Sequence, residues 1–354
     1  MSYQDGWAAL NLEMPDRVPR TEYSVDGYHF ALMRRVTGIP VTAESPAQER
    51  LRAAQAFRKA WAFDFAWSTL IANQIYKGFC TNMGLASYAA AGSDYDDALY
   101  CPFEDPEDVL AFDPWEAYGP IDLADMTRQF EEHYRANAAA YPDEVNMTGI
   151  YTTLMSGLIA VFGWDMLLMA CGMDGQAFGE MANRYASWMQ QFMQALAGAD
   201  VPCVMIHDDI VWTSGPFIHP DWYRKYLFPN YKKYFAPILE SGKKLIYTSD
   251  GNYTQFIDDI AATGVNGFVL EPCTDMRYIA EKYGKTHAFI GNADTRILLS
   301  GTPEEIRAEV KRCMDIGKSC PGFFLAVGNH IPANTPVENC LIYEEAYREM
   351  CRRR

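Results

Sequence analysis

The sequence predicts an α/β fold, specifically a (β/α)₈ TIM barrel with an elaborated N-terminal segment. Three observations predict it: short apolar runs recur through the second half of the chain, helical patterns separate them, and each run ends in polar or titratable residues. Buried parallel strands appear as continuous apolar runs, and barrels of this kind carry their sites at the carboxyl ends of the strands. The alternative is an open doubly wound sheet, but no G-x-G-x-x-G motif follows a strand here.

The stretch 201–252 shows this pattern most clearly. V-P-C-V-M-I-H-D-D and K-K-L-I-Y-T-S-D-G-N contain two predicted strands, and residues 219–242 between them are long enough for the helical crossover that parallel strands require. Three later runs end in the same way: 267–270 before Glu271, 287–290 before Gly291-Asn292, and 322–327 before Gly328-Asn329-His330. Helical patterns lie between them, and Thr302 with Glu305 has the signature of a capping box.

The first half of the chain carries weaker signals. Residues 46–63 and 122–141 have helical spacing, while 64–68 is the predicted first barrel strand and 145–152 another. Residues 72–121 are rich in Tyr, Asp and Gly without clean periodicity. We expect them to form an insertion over the barrel mouth that contributes to the substrate pocket. No Pro/Gly/Ser-rich linker divides the chain, which predicts one barrel domain over residues 1–354.

Composition and charge exclude several classes of function. A net charge of −16 at pH 7 argues against nucleic-acid binding, because polyanions are held by surfaces rich in Lys and Arg. Nine scattered cysteines without a C-x-x-C pair, and no signal-peptide pattern after Met1, predict reduced thiols and a cytoplasmic location. The apolar stretch 153–171 contains Asp165, and we interpret it as a buried helix rather than a membrane span.

Six motifs occur in a fixed order over about residues 140–350. They are D-D at 208–209, P-D-W-Y-R-K-Y-L-F-P-N-Y-K-K at 220–233, S-D-G-N at 249–252, G-N-A-D-T at 291–295, G-T-P-E-E at 301–305 and G-N-H-I-P-A-N-T-P-V-E-N at 328–339. The ordered set resembles the uroporphyrinogen decarboxylase-like superfamily, and within it the corrinoid-dependent methyltransferases. The resemblance implies a (β/α)₈ barrel, in agreement with the strand and helix pattern.

Two departures from the family narrow the implied activity. The decarboxylases carry an M-R-Q-A-G-R motif that grips substrate carboxylates, and the corresponding region here is P-D-R-V-P-R-T-E-Y-S. Zinc-dependent thiol methyltransferases carry H-x-C where this chain has Tyr247-Thr248-Ser249, and soft S and N ligands are what hold such a zinc. The resemblance therefore favours one component of O-demethylase systems, the methyltransferase that binds the methyl ether itself. Such an enzyme moves a methyl group from an aryl methyl ether to a separate corrinoid protein.

The implied cofactor is a corrinoid (cobalamin) on a partner protein, because this chain lacks the D-x-H-x-x-G signature of corrinoid binding. Zinc remains open as a second cofactor, and so does a homodimer. The alternative function is a cofactor-free decarboxylase of the uroporphyrinogen decarboxylase type, whose carboxylate-binding groups would be Arg17, Arg20, Arg277 and Arg296. A non-enzymatic binding module would leave the titratable strand ends unexplained.

The polar residues at the predicted strand ends form the candidate site. Cleavage of a methyl ether is easier when the leaving oxygen is protonated or coordinated. The candidates for catalysis are His207, Asp209, Tyr247, Asp250, Glu271 and His330, and those for substrate binding are Tyr151, Asp208, Asn292 and Asn329. We expect Glu271 to be the acid and Tyr247 and His330 to donate hydrogen bonds. Glu271 and His330 are also the expected ligands of any metal, Glu271 because it matches a glutamate ligand in the similar cobalamin-independent methionine synthase.

Overall fold

The structure, a computed structural model, describes residues 3–82, 87–89, 92–94 and 100–353. Within these ranges the strands are β1 (Phe65–Ala66), β2 (Ser87–Ala89), β3 (Gly92–Asp94), β4 (Val145–Asn146), β5 (Thr148–Ile150), β6 (Cys203–His207), β7 (Val211–Trp212), β8 (Gly215–Pro216), β9 (Lys244–Thr248), β10 (Gly267–Val269), β11 (Ala288–Ile290) and β12 (Phe323–Phe324). The helices are α1 (Tyr3–Leu10), α2 (Phe30–Thr37), α3 (Ala47–Ala60), α4 (Pro106–Ala111), α5 (Pro114–Tyr118), α6 (Leu123–Ala140), α7 (Met155–Met173), α8 (Gly175–Gly198), α9 (Pro220–Trp222), α10 (Phe228–Glu240), α11 (Ile257–Ala261), α12 (Met276–Tyr283), α13 (Thr295–Ser300), α14 (Pro303–Gly317) and α15 (Val337–Met350).

The centre of the fold is a ring of parallel strands. β12, β11, β10, β9, β6 and β5 form one sheet in that order, β5 follows directly from β4, and β4 pairs with β1. Residues 19–21 complete the ring: Leu325 N–H donates to Pro19 O at 2.9 Å, and Asp64 N–H donates to Arg20 O at 2.7 Å. With β4 and β5 counted as one segment, eight strand segments among the described residues close the barrel, which confirms the predicted (β/α)₈ fold.

The structure corrects the position of the first barrel strand. The sequence places it at 64–68, but β1 in that stretch is the second segment of the ring, and residues 19–21 are the first. So short a segment, which begins with Pro19, has no apolar run by which periodicity could detect it. The later predicted strands are confirmed by β4 to β6 and β9 to β12, and the capping box of Thr302 with Glu305 is present at the start of α14.

Apolar side chains fill the interior of the barrel, so that its site lies at one end. The buried cluster includes Phe65, Val145, Met147, Cys203, Met205, Ile246, Val269, Ala288, Ile290, Phe324 and Ala326. Helix α1 covers the amino-terminal end, where Ala9 and Leu10 join the cluster. Gly6 allows this close approach, since a Cβ there would lie 2.4 Å from the carbonyl oxygen of Asp64. The carboxyl ends of the strands are therefore the end at which a functional site is expected, as in other barrels of this type.

Helix α7 is the apolar stretch interpreted above as a buried helix. Among the described residues, α7 is the helix whose length and composition would allow it to cross a membrane. However, 61% of its most apolar 18-residue stretch is buried inside the protein. Its apolar residues pack against the rest of the core, and α8 lies beside it. Burial of this kind fits a core helix.

Part of the predicted insertion 72–121 lies outside the described residues, namely 83–86, 90–91 and 95–99. Its described flanks pack aromatic rings against α7 and α8: the Phe103 and Phe162 rings lie 4.8 Å apart, and those of Tyr118 and Trp188 lie 5.0 Å apart. The placement of this segment over the mouth and its part in a substrate pocket remain predictions.

Arg20 links the first barrel segment to helix α15 and is fully buried. Its guanidinium pairs with Glu22 at 3.2 Å and with Glu344, and it lies 4.3 Å from the ring centroid of Trp61. We predict that Arg20→Gln lowers the free energy of unfolding by about 3–5 kcal/mol, because it leaves buried carboxylates without their cation. Urea unfolding followed by circular dichroism measures this.

The matched control is Arg128→Gln, which removes an exposed cation that pairs with Asp125 and Glu132 on α6. Exposed pairs contribute little, so its cost should stay below about 1 kcal/mol. Equal costs for the two variants would contradict the structural role of Arg20.

Candidate functional site

A cleft opens at the carboxyl ends of the strands, where the sequence predicts the site. It encloses about 290 Å³, including its open mouth. It is lined by Tyr23, Tyr151, His207, Thr248, Ser249, Asp250, Val269, Gly328, Asn329 and His330. These residues come from several strand ends, so residues far apart in sequence meet in one cleft.

His207 ends β6 and is held from three directions. Its Nδ1 lies 2.7 Å from the carbonyl oxygen of Tyr151, so Nδ1–H is the donor in that contact. The Tyr151 ring stacks on the imidazole with centroids 4.0 Å apart and planes 10° from parallel. On the other side, Nε2 lies 3.2 Å from Oδ1 of Asp209. The imidazole is therefore fixed in position, with Nε2 available to carry a proton between Asp209 and the cleft.

The Asp209 carboxylate controls the protonation of this histidine. Burial alone lowers the pKa of His207, but the negative charge of Asp209 and the hydrogen bond to it outweigh burial and raise the pKa to about 9. For Asp209 itself, burial raises the pKa, yet the positive charge of His207 holds it below the usual range. At neutral pH the two side chains form an imidazolium and carboxylate pair.

Asp250 and Glu271 extend this pair into a hydrogen-bonded chain. The Asp250 N–H donates to Oδ1 of Asp209 at 2.8 Å. The Asn329 amide nitrogen donates to Oδ2 of Asp250 at 3.1 Å and to Oε1 of Glu271 at 2.9 Å, and Gly251 N–H donates to Oε2 of Glu271 at 2.8 Å. Burial and the charges of Asp209 and Glu271 raise the pKa of Asp250 well above its usual range. Asp250 therefore keeps its proton to a higher pH than an ordinary aspartate does.

The S-D-G-N turn after β9 needs its glycine. Gly251 has φ +80°, a backbone conformation that L side chains rarely adopt. A Cβ there would also lie 2.6 Å from the carbonyl oxygen of Val211. The turn presents Asp250 to the cleft while its backbone contacts the β7–β8 hairpin, where Asn252 N–H donates to Trp212 O.

His330 and Tyr23 form another wall of the cleft. Burial, together with the positive charge of His207, lowers the pKa of His330 to about 4, so its imidazole is neutral at pH 7. The Tyr23 ring meets it edge-on at 5.5 Å and stacks on Trp67 at 4.9 Å. Tyr23 is not among the site residues predicted from the sequence. The only signal was the extended P-D-R-V-P-R-T-E-Y segment, which the structure shows to be the first barrel segment leading into the cleft.

Asp208 has a different role from the predicted substrate contact. Its carboxylate is fully buried and points away from the cleft. It accepts from the N–H groups of Met155 at 3.0 Å and Ser156 at 2.6 Å, and from the Tyr231 hydroxyl at 2.5 Å. These donors belong to the first turn of α7 and to α10, so Asp208 anchors helices behind the strand.

Tyr247 and Asn292 also lie outside the cleft lining. The Tyr247 hydroxyl donates to the carbonyl oxygen of Asp208 at 3.1 Å, in the layer between the sheet and the helices. The Asn292 amide donates to the carbonyl oxygen of Glu271 at 3.1 Å, and its oxygen accepts from Arg312 at 2.9 Å. Side chains alternate between the two faces of a strand, and Tyr247 faces the outer one. We therefore withdraw Tyr247 as a donor to the leaving oxygen.

The structure groups a different set of potential metal ligands from the predicted pair Glu271 and His330. Among the described residues, His207, Asp209 and Asp250 offer ligand atoms within 4.8 Å of one another. One nitrogen and two carboxylate oxygens suit a divalent ion such as zinc. The same Nε2 already faces Asp209 as a hydrogen-bond partner, so an ion and a proton would compete for it.

The arginines considered as carboxylate-binding groups are engaged elsewhere or lie outside the cleft lining. Arg17 binds Asp64 at 2.5 Å and Arg20 is buried in its ion pairs. Arg296 holds Asp294 at 2.6 Å, and Arg277 is exposed on α12. The described cleft lining contains no Lys or Arg.

Comparison with known proteins identifies the family. The fold and the strand-end cleft define the class as a TIM barrel with a cleft at the carboxyl ends of its strands. A family model described as uroporphyrinogen decarboxylase (URO-D) matches residues 116–350. The chain belongs to this family.

The chain is similar to decarboxylases and to methyltransferases. A uroporphyrinogen decarboxylase from Carboxydothermus hydrogenoformans is 26% identical over 175 residues, which cover 49% of this chain and 48% of that protein. A methylcobamide:CoM methyltransferase, MtbA, from Methanosarcina acetivorans is 29% identical over 127 residues, 36% of each chain. The chain spans about half the length or less of these curated relatives. A solved methyltransferase from Methanosarcina mazei has a TM-score of 0.66 at 18% identity over 98% of both chains, which shows the same fold.

The His207–Asp209 pair gives a direct prediction. In Asp209→Asn the charge that raises the pKa of His207 is gone and burial dominates, so the pKa should fall from about 9 to below about 6.5. NMR titration of the imidazole measures it. Asp221→Asn, which removes an exposed carboxylate beside His219, should leave the pKa of His207 unchanged. A value above 8 in Asp209→Asn would show that Asp209 does not control this proton.

Proposed function

We propose that this protein transfers a methyl group from a methoxylated aromatic compound to the Co(I) corrinoid of a separate carrier protein, with His207 as the acid that protonates the leaving oxygen. The observation that carries the proposal is the protonated imidazole of His207 on the wall of a cleft with aromatic sides. Support also comes from the relative named as a methylcobamide methyltransferase.

Cleavage of the methyl ether requires a proton at the leaving oxygen. The Co(I) centre supplies the electron pair that attacks the methyl carbon. As the carbon–oxygen bond breaks, its electron pair remains on oxygen, which takes the proton from Nε2 of His207. A phenol has a pKa of about 10, close to the value of about 9 for His207, so the proton moves between groups of similar basicity. The Nδ1–H bond to Tyr151 keeps the ring in place before and after transfer.

Glu271 then has a different task from the acid role predicted from sequence. Both of its oxygens accept hydrogen bonds, from Gly251 N–H and from the Asn329 amide. These two accepted hydrogen bonds tie Glu271 to its neighbours in the cleft wall. We assign Glu271 to positioning of the S-D-G-N turn and of Asn329. Neutral His330 remains a candidate hydrogen-bond donor to the substrate.

The size of the cleft supports a corrinoid that arrives on a partner. Its space of about 290 Å³ includes the open mouth, so the enclosed part is smaller still and does not hold a corrin macrocycle. The cobalt would therefore approach from the mouth.

The decarboxylase alternative finds less support in the site. A substrate with several carboxylates needs cations to hold it, and the described lining of the cleft offers none from Lys or Arg. Three of the four arginines proposed for that role hold Asp or Glu partners. Turnover of a porphyrinogen without any corrinoid would restore this alternative.

The first functional prediction concerns His207. His207→Gln should lower kcat by about 10²–10⁴-fold, the usual contribution of a positioned acid, and wild-type activity should fall as pH rises through about 9, where the imidazolium loses its proton. Anaerobic assays with 2-methoxyphenol and a corrinoid carrier measure both. Exposed His219→Gln serves as control and should keep full activity.

A second substrate separates an acid from a purely structural histidine. With 4-nitroanisole the leaving phenolate is stable without a proton, so His207→Gln should lose much less activity than with 2-methoxyphenol. An equal loss with both substrates would contradict the acid role.

The second functional prediction concerns metal. If His207 acts as an acid, incubating this protein with EDTA before adding the carrier should leave methyl transfer unchanged. If His207, Asp209 and Asp250 hold an ion that coordinates the leaving oxygen, chelation should abolish transfer and a divalent ion should restore it. Elemental analysis of the purified protein gives an independent reading of which case holds.

A further inference from the structure

The Tyr23 side chain carries a hydroxyl into the inner part of the cleft. Its ring lines the cleft, meets the His330 ring edge-on at 5.5 Å and stacks on Trp67 at 4.9 Å. The hydroxyl donates to Sδ of Met205 at 3.3 Å. Met205 belongs to the apolar cluster that fills the barrel, so the hydroxyl is directed from the cleft wall toward the interior.

This hydroxyl is a donor whose partner is weak. A thioether sulfur is a poor hydrogen-bond acceptor, and an oxygen atom of a ligand would accept the same hydrogen more strongly. Burial, followed by interactions with Tyr151, Asp250 and Asp209, raises the pKa of Tyr23 well above its usual range. The phenol therefore keeps its proton and remains able to donate it to a hydrogen bond.

Thr248 lies beside this donor in the same cleft. It ends β9 and is the register partner of His207 on β6, so the two residues are neighbours across adjacent strands. The Thr248 side chain is buried, and its hydroxyl oxygen has no partner in hydrogen-bonding geometry among the described residues. The Thr248 hydroxyl acts to lower the pKa of Tyr23, which places the two hydroxyls near each other. A buried hydroxyl without a partner is a group that a ligand can satisfy.

From this geometry we infer that Tyr23 and Thr248 form a subsite for a hydroxyl group of the substrate, separate from the methoxy oxygen that His207 protonates. One hydroxyl accepts a hydrogen bond from Tyr23 and donates one to Thr248, so it satisfies both side chains at once. A methyl group in the same position would leave both unsatisfied. The inference rests on the proposed function and adds two residues that determine specificity.

The test compares 2-methoxyphenol with 1-methoxy-2-methylbenzene, in which a methyl group of similar size replaces the hydroxyl. Hydrophobic burial alone would favour the methyl compound. We expect the phenol to bind about tenfold more tightly instead, the usual contribution of a neutral hydrogen bond. Isothermal titration calorimetry without the carrier measures both affinities. Equal affinities, tighter binding of the methyl compound, or binding of neither would overturn the inference.

Two variants locate the source of this preference. Tyr23→Phe keeps the ring that stacks on Trp67 and Thr248→Val keeps the shape of the side chain, but each removes a hydroxyl. Each should reduce the ratio of the two affinities, Tyr23→Phe by about tenfold. Tyr3→Phe makes the same change on an exposed ring of α1, at the opposite end of the barrel, and should leave the ratio as in the wild type. An unchanged ratio in Tyr23→Phe or in Thr248→Val would contradict the part assigned to that residue.

Binding and turnover separate the inference from the proposed function. Tighter binding of the phenol that is lost in Tyr23→Phe, with no methyl transfer to the corrinoid carrier, would support the subsite and overturn the proposed reaction. Methyl transfer from both compounds, with a ratio of kcat/KM values that Tyr23→Phe does not change, would support the reaction and overturn the subsite.

Discussion

The capping of α7 by Asp208 is the contact on which the geometry of the site depends. The Asp208 carboxylate accepts hydrogen bonds from the N–H groups of Met155 and Ser156. In return, the N–H of Asp209, the residue that follows Asp208, donates to the Ser156 hydroxyl at 2.6 Å. These bonds fix the end of β6 against the start of a helix, where the partial positive charge favours a carboxylate. Because Asp208 is anchored behind the strand, His207 and Asp209 face the cleft. One acidic residue supports the backbone so that its neighbour can do chemistry.

A second buried network fixes the opposite side of the cleft. Glu22, which pairs with Arg20, also accepts from the Val327 N–H at 3.0 Å. The first barrel segment is thereby tied to the chain that leads into Asn329 and His330. Tyr23 follows Glu22 directly and enters the cleft wall. The ion pairs that stabilise the barrel seam therefore also position cleft residues contributed by two distant parts of the chain.

The sequence predicts the barrel and most strand ends because those signals are local. An apolar run followed by titratable residues identifies His207, Asp209, Asp250 and Asn329 without knowledge of their neighbours. The sequence pattern does not show which face of the strand a side chain lies on. It therefore predicts Asp208 and Tyr247 as site residues too, although both side chains lie between the sheet and the helices. The sequence does not predict Tyr23, for another reason. Its strand has too few residues for periodicity and pairs through contacts with Leu325 and Asp64 that are distant in sequence.

The folding free energy that the cleft residues contribute depends on pH. The folded pKa of His207 is raised above its unfolded value, so its stabilisation is complete below about pH 6.5 and is lost as pH rises through about 9. Asp250, whose pKa is also raised, loses its contribution in the same direction. Rising pH therefore removes the proton of His207 and that of Asp250, and both changes make the cleft more negative.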